Sequence, residues 1–182
     1  YLKTHEVREI ERIEVEKMIA VAAGVAGVFD KERTMLMGAP NLPAWIGQPL
    51  KEAFERAFSA PVLLENDAAL GGLGEARYGS RRGHDIVAYL AIGTGVGGAR
   101  VVGGALDVRG FGFEPGHHII DAKTRRTFEE SVSGAAIEKR FGVKADTIRD
   151  PRLWDEIAEW LAIGVYNAAL FWSPSIFVLG GG

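Results

Sequence analysis

Residues 86–108 read "IVAYLAIGTGVGGARVVGGALDV", and no other stretch limits the possible folds as strongly. An apolar run ends at Gly93, Gly95, Gly97 and Gly98 follow, a second apolar run resumes, and Gly103–Gly104 interrupt it. Gly93, Gly95 and Gly98 satisfy G-x-G-x-x-G, and Asp121 lies about 20 residues on, as a dinucleotide-binding turn would require. That turn needs a helix opening at its last glycine. Two valines and then paired glycines follow instead, and at about 1 kcal/mol per interior glycine no helix is expected there. No lysine follows the glycines, which removes a Walker P-loop. The pattern predicts strand, glycine turn, strand and second turn. The tip of such a hairpin presents backbone N–H groups with no side chains in the way, and Thr94 adds a hydroxyl. It can cradle phosphate oxygens or be a plain tight turn.

Around this hairpin the chain alternates strand and helix patterns. Residues 1–18 carry Val7, Ile10, Ile13 and Met18 at near-helical spacing among Glu and Arg, which predicts an amphipathic surface helix. "IAVAAGVAGVFD" (19–30) predicts one buried strand with a turn at Asp30–Lys31, and "GAPNLPAWIGQP" (38–49) a loop. "LKEAFERAF" (50–58) predicts a helix, "PVLLE" (61–65) a buried strand, and "AALGGLGEARYG" a helix whose Gly71, Gly72 and Gly74 pack closely on another backbone. The polar "SRRGHD" (80–85) marks a domain boundary, giving lobes 1–80 and 81–182. "FEESVSGAAIEKRFG" (128–142) predicts one helix stopped by glycine. Asp150–Pro151 opens a last helix with Leu153, Ile157, Leu161, Ala168 and Phe171 as its buried stripe. "SIFVLGGG" (175–182) predicts a buried strand running into a glycine turn. The fold class is α/β.

Composition excludes several functions. Among 182 residues there is no cysteine, so disulfides, thiolate zinc sites, Fe–S clusters and cysteine nucleophiles are absent. The net charge of −3, with Lys and Arg scattered, gives no basic face for nucleic acid. No apolar run approaches the roughly 20 residues of a membrane helix, and no basic-then-apolar signal opens the chain, so a cytoplasmic protein is expected. Tyr1 in place of an initiator Met, and a last residue inside "LGGG", are expected of a segment of a longer protein.

Two constellations could carry chemistry. In "FEPGHHII" (113–120), Glu114 and His117 can hydrogen-bond a polyol, or they can be ordinary loop residues. Glu114, His117 and His118 are not expected to form a metal site, because neighbouring residues rarely converge on one ion. In "LLENDAA" (63–69), Asp67 can cap the following helix. It can also act as a general base at a strand's end, with Asn66 holding a neighbouring hydroxyl.

Taken in order, "GVAGVFD" (24–30), "APNLPAW" (39–45), "LENDAALGGLGEARYG" (64–79), "AIGTGVGG" (91–98), "EPGHHI" (114–119), "FEESVSG" (128–134) and "SIFVLGGG" resemble the ROK family of sugar kinases and sugar-responsive repressors. The resemblance implies an actin-like ATPase fold of two RNase H-like lobes, incomplete here at both termini, with sugar and ATP between them. It implies Asp67 as catalytic base. Gly27, Asn41, Asn66, Asp67, Glu114, His117 and Glu129 would surround the sugar, and Gly93, Thr94, Gly95, Gly97, Gly180 and Gly181 the nucleotide. ATP with Mg²⁺ would be the cofactor, a hexose or N-acetylhexosamine the substrate, and a homodimer the expected assembly, without nucleic acid or membrane partners.

The sequence also departs from the family pattern. Most members carry a cysteine-rich zinc loop before the Glu matched by Glu129. "HIIDAKTRRTFE" is shorter and has no Cys, so no structural zinc is expected and packing should support that wall. Nothing before Val21 has room for the helix-turn-helix of the repressors. The family's first phosphate loop, which helps hold Mg²⁺, has no counterpart in these 182 residues, so this segment alone is expected to be a poor kinase. The alternative is a non-catalytic sugar-binding regulator or degenerate paralogue.

Overall fold

The computed structural model describes residues 18–79, 83–107 and 112–181; the expected helix over 1–18 lies outside them except for Met18. In the first half, β1 (Val21–Val25), β2 (Val28–Phe29), β3 (Leu36–Gly38), α1 (Leu50–Phe58), β4 (Val62–Asn66) and α2 (Asp67–Arg77) follow in order. β1 and β4 pair in parallel from Val21↔Val62 to Val25↔Asn66. The single strand expected over 19–30 is broken at Gly27. With φ 144° there, and an added Cβ 2.7 Å from the Gly38 carbonyl, the chain turns so that β2 pairs antiparallel with β3.

In the second half come β5 (Ile86–Ile92), β6 (Val96–Val102), β7 (Ala105–Leu106), β8 (Ile119–Asp121), β9 (Arg126–Thr127), α3 (Glu129–Val132), α4 (Gly134–Phe141), α5 (Pro151–Trp172) and β10 (Ile176–Gly181). β5 and β6 are the predicted hairpin, in register from Ile86↔Val102 to Ile92↔Val96. Gly103 and Gly104, at φ 56° and 76°, turn the chain into β7, since two successive positive φ values suit a tight hairpin turn. β10 pairs in parallel with β5, giving the order β10-β5-β6-β7. It lies at the edge of this sheet with Leu179 53% exposed, rather than buried as expected.

Helices cover both faces of this sheet. Ala88, Leu90 and Val96 pack with Phe128, Val132, Ile157, Ala168 and Trp172 on one side. Val87 and Val101 pack with Ala76 and Leu73 of α2 on the other. α2 also touches β1 and β4, so it joins the two sheets. Its glycines explain the approach only in part. A Cβ on Gly72 would lie 2.9 Å from the Ala99 Cβ and one on Gly71 3.1 Å from the Tyr89 ring, whereas Gly74 faces open space.

The helix expected over 128–142 is two helices. Ser133, at ψ 153°, leaves the helical region and its buried Oγ accepts from the Ala136 N–H at 3.1 Å, capping α4. Asp150 caps α5 as predicted. The buried stripe of α5 runs through Ile157, Gly164, Ala168 and Trp172; Phe171 is 79% exposed and Trp172 takes its place.

Candidate functional site

The junction of β4 and α2 places an amide and a carboxylate at the carboxyl end of a parallel strand. The helix cap is Asn66: its Oδ1 accepts from the Ala69 N–H at 3.0 Å. Its Nδ2 donates to the Gly27 carbonyl at 3.1 Å, tying α2 to the turn after β1. Asn66 thus keeps one amide hydrogen for a ligand. Asp67 is the first residue of α2, exposed, and relieved of the capping role that sequence alone left open to it.

A shelf unforeseen from the sequence supports this junction. Arg33 Nε donates to both carboxylate oxygens of Glu65, at 3.0 and 3.1 Å, and Glu65 accepts from the Asn66 N–H at 2.9 Å. Arg33 sits at φ 57°, a left-handed conformation that costs a non-glycine residue energy. Asp30 holds it there by accepting from Thr34 N (2.6 Å), Thr34 Oγ1 (2.5 Å) and Met35 N (3.0 Å). Asp30 followed four residues later by Thr was the available signal.

The second wall is built against β6, where the glycines permit close approach. A Cβ on Gly97 would lie 2.7 Å from the Ala68 Cβ, one on Gly98 2.7 Å from Pro115, and one on Gly116 2.3 Å from the Val96 carbonyl. The turn Pro115–His117 therefore sits on β6 beside the first turn of α2. Glu129 Oε2 accepts from the Val96 N–H at 2.8 Å, and Gly95 leaves room for it. His117 Nδ1 lies 3.8 Å from Glu114 Oε2.

Burial pushes the Glu114 carboxyl up from its ordinary range; His117 opposes this, while the charges of Glu129 and Asp67 reinforce it. Asp67, Glu114, His117 and Glu129 thus share one electrostatic neighbourhood. Asn66 and Gly27 line the same pocket as Glu114. Asn41 is exposed in the loop after β3, two residues from Ala39, against which Gly27 packs.

Because the Glu114 pKa is raised on folding, its contribution to stability is full below the ordinary value of 4.5 and lost as pH rises through the folded-state value. Glu114→Gln removes that loss. The variant is expected to melt higher than wild type at pH 7, with the gain vanishing below pH 4.5, in thermal unfolding at several pH values.

The glycine hairpin tip lies at the same end of its sheet as the close of β10. Gly180 and Gly181 pair with Ala91 and Ile92, immediately before Gly93. A Cβ on Gly181, at φ 130°, would fall 1.8 Å from the Ile92 carbonyl. The tip is partly engaged: Gly93 N–H donates to Gly95 O, while Gly93 O and Thr94 O accept from the first amides of α4 at 2.7 and 3.3 Å. The Thr94 residue remains exposed. Crevices outside the carboxyl ends of parallel strands are the usual ligand sites of α/β sheets.

Residues 119–127, where the zinc loop would stand, form the short β8–β9 hairpin. Asp121 closes its turn by accepting from Lys123 N (2.9 Å) and Thr124 Oγ1 (2.6 Å), and the Arg126 guanidinium lies 4.4 Å from the centre of the Trp160 ring. The adjacent histidines diverge, His118 turning behind the loop to Pro115 O and Asn167. Among the described residues no group of three or more His, Asp and Glu side chains could hold a metal, and no helix is long and apolar enough to cross a membrane.

The model of the ROK family matches residues 6–182. The chain is 28% identical to a glucokinase of Streptomyces coelicolor, across 91% of this chain and 65% of that protein. It therefore spans about 65% of the length of this relative. It is 33% identical to the xylose repressor of Bacillus subtilis, across 57% of this chain and 27% of the repressor. The crystal structure of a ROK family glucokinase from Streptomyces griseus, in complex with glucose and AMPPNP, superposes with a TM-score of 0.76 at 29% identity, covering 91% of this chain and 66% of that one.

Proposed function

Because the chain belongs to the ROK family and has its actin-like ATPase fold, we propose that the full-length protein is an ATP-dependent kinase of a hexose or N-acetylhexosamine. The observation that carries this reading is that three separate stretches of chain, the first turn of α2 at Asp67, the turn from Glu114 to His117 and the start of α3 at Glu129, all pack on β6 around Val96–Gly98. The division into lobes 1–80 and 81–182, a homodimer and a cytoplasmic location belong to the same proposal. The Streptomyces griseus enzyme with glucose and AMPPNP supports the ligand classes.

Phosphoryl transfer asks the protein mainly for positioning and electrostatics. Glu114, His117, Glu129 and the free Asn66 amide hydrogen bond the sugar hydroxyls, with Gly27 and Asn41 at the rim. The acceptor hydroxyl faces Asp67. As its oxygen bonds to the γ-phosphorus, the bond from that phosphorus to the β-phosphate oxygen breaks, ADP leaves with the electron pair, and the hydroxyl proton passes to the Asp67 carboxylate. The side-chain-free surface at Gly93, Thr94, Gly95 and Gly97 suits the phosphates, and Gly180 and Gly181 suit close approach by the adenosine side. Mg²⁺ bound with ATP would be held largely by the nucleotide's own phosphates; among the described residues no group of three or more His, Asp and Glu side chains could hold a metal, and no step is assigned to it.

A coupled ATP-consumption assay on the full-length protein with a panel of hexoses and N-acetylhexosamines is expected to show turnover dependent on one of them. The second reading, a non-catalytic sugar-binding regulator, is favoured by the similarity to a xylose repressor. Sugar binding without ATP consumption would select it.

A further inference from the structure

His118 lies behind the proposed sugar-binding turn and joins three elements. Its Nδ1 is 2.5 Å from the carbonyl of Pro115, the residue between Glu114 and Gly116. A carbonyl only accepts, so Nδ1 carries a hydrogen, and in a neutral ring Nε2 then presents a lone pair. That lone pair faces Asn167 Nδ2 of α5 at 3.5 Å, the outer limit of a hydrogen bond. The imidazole leans on the fully buried Phe128 ring, with centroids 5.4 Å apart and planes at 46°. The His118 carbonyl accepts from the Phe128 N–H at 2.9 Å, and Phe128 directly precedes Glu129. One residue therefore touches the turn bearing Glu114 and His117, the start of the helix bearing Glu129, and α5.

The turn meets α5 at two points: the Phe113 ring packs edge-on against Trp172, with centroids 5.0 Å apart, and His118 faces Asn167. A cavity opens between them, lined by Phe113, Glu114, Pro115, His118, Ala168 and Trp172. Beside that gap, His118 adds a polar contact to α5 and ties the turn to Phe128, so it sets the turn's orientation together with the Phe113–Trp172 packing. We propose that His118 is a positioning residue for sugar binding, holding Glu114 and His117 in register with Glu129 from behind the pocket and fixed in its own tautomer by Asn167. The inference rests on the sugar-site reading above.

Calorimetric titration of the full-length protein with the preferred sugar, and separately with AMPPNP, tests it. His118→Phe keeps the ring on Phe128 and loses both hydrogen bonds. It is expected to weaken sugar binding about 5- to 10-fold, the effect of one or so hydrogen bonds, with AMPPNP affinity unchanged. His118→Asn restores a donor near the Nδ1 position and is expected to recover most of the loss. Asn167→Ala, which leaves the His118–Pro115 bond in place, is expected to weaken sugar binding by a smaller factor; it decides the matter if His118→Phe fails to fold. Wild-type sugar affinity in both His118→Phe and Asn167→Ala overturns the proposal. So does a His118→Asn variant as weak as His118→Phe, or equal losses for sugar and AMPPNP. If the wild-type protein gives no heat with any sugar, the sugar-site reading itself fails and the inference falls with it.

Discussion

Asp67→Asn in the full-length protein is expected to lower kcat by at least about 10²-fold, the typical contribution of a positioned general base, while sugar affinity stays close to wild type. The local structure makes this substitution a clean test. Asn66, not Asp67, caps α2, so the helix keeps its terminal hydrogen bond. An asparagine Oδ1 can still accept from the Ala68 N–H, as Asp67 does at 2.9 Å. What is lost structurally is a carboxylate at a helix N-terminus, about 0.3–1 kcal/mol at an exposed position. Chemically, the variant cannot take the proton. It also removes one of the two negative charges that hold the Glu114 carboxyl up, so Glu114 should ionise at lower pH in the variant. Steady-state kinetics together with sugar titration would detect the split. Unchanged turnover would remove Asp67 from the mechanism.

Gly164→Ala is expected to destabilise the protein by about 1–3 kcal/mol, the usual cost of overpacking a filled core, and more if the ring cannot shift. α5 crosses Phe128 at this glycine, and an added Cβ would lie 2.2 Å from Phe128 Cε2 and 2.5 Å from Cζ. Phe128 is fully buried between α5 and the β5–β6 sheet, so it has little room to yield. Urea denaturation should show a lower midpoint at unchanged slope. Adding Phe128→Leu to the alanine variant should recover part of the loss by removing the ring edge. Because Glu129 follows Phe128 directly and His118 leans on its face, the alanine variant should also bind sugar more weakly. Wild-type stability in Gly164→Ala would contradict this packing.

The parts legible from sequence are those governed by local rules. Glycines spaced against any helix made residues 86–106 a hairpin, and the Asp150–Pro151 signature fixed the start of α5. Where two neighbours fit one rule, periodicity could not choose. Asn66 and Asp67 are both good caps, and Phe171 and Trp172 flank one edge of the same helical stripe; tertiary contacts decided for Asn66 and Trp172. The break at Ser133 was signalled only by the Ser133–Gly134 pair, a turn marker with helix formers on either side, and the buried Oγ capping α4 fixes it. The glycines announced close approach without naming a partner. Gly97 meets Ala68, Gly95 meets Glu129 and Gly116 meets Val96 across gaps in sequence that no local pattern spans. Arg33 and Glu65, 32 residues apart, were invisible for the same reason.

In the proposed mechanism Asp67 faces a sugar hydroxyl in a pocket closed by Glu114, His117 and Glu129. A crystal structure of the full-length protein with its preferred sugar and AMPPNP tests it most directly. One sugar hydroxyl is expected within about 2.6–3.2 Å of the Asp67 carboxylate, the reach of a general base. The other hydroxyls are expected on Glu114, His117 and Glu129, and the phosphates against Gly93–Thr94. A sugar bound with no hydroxyl in contact with Asp67, or bound away from these side chains, would contradict it.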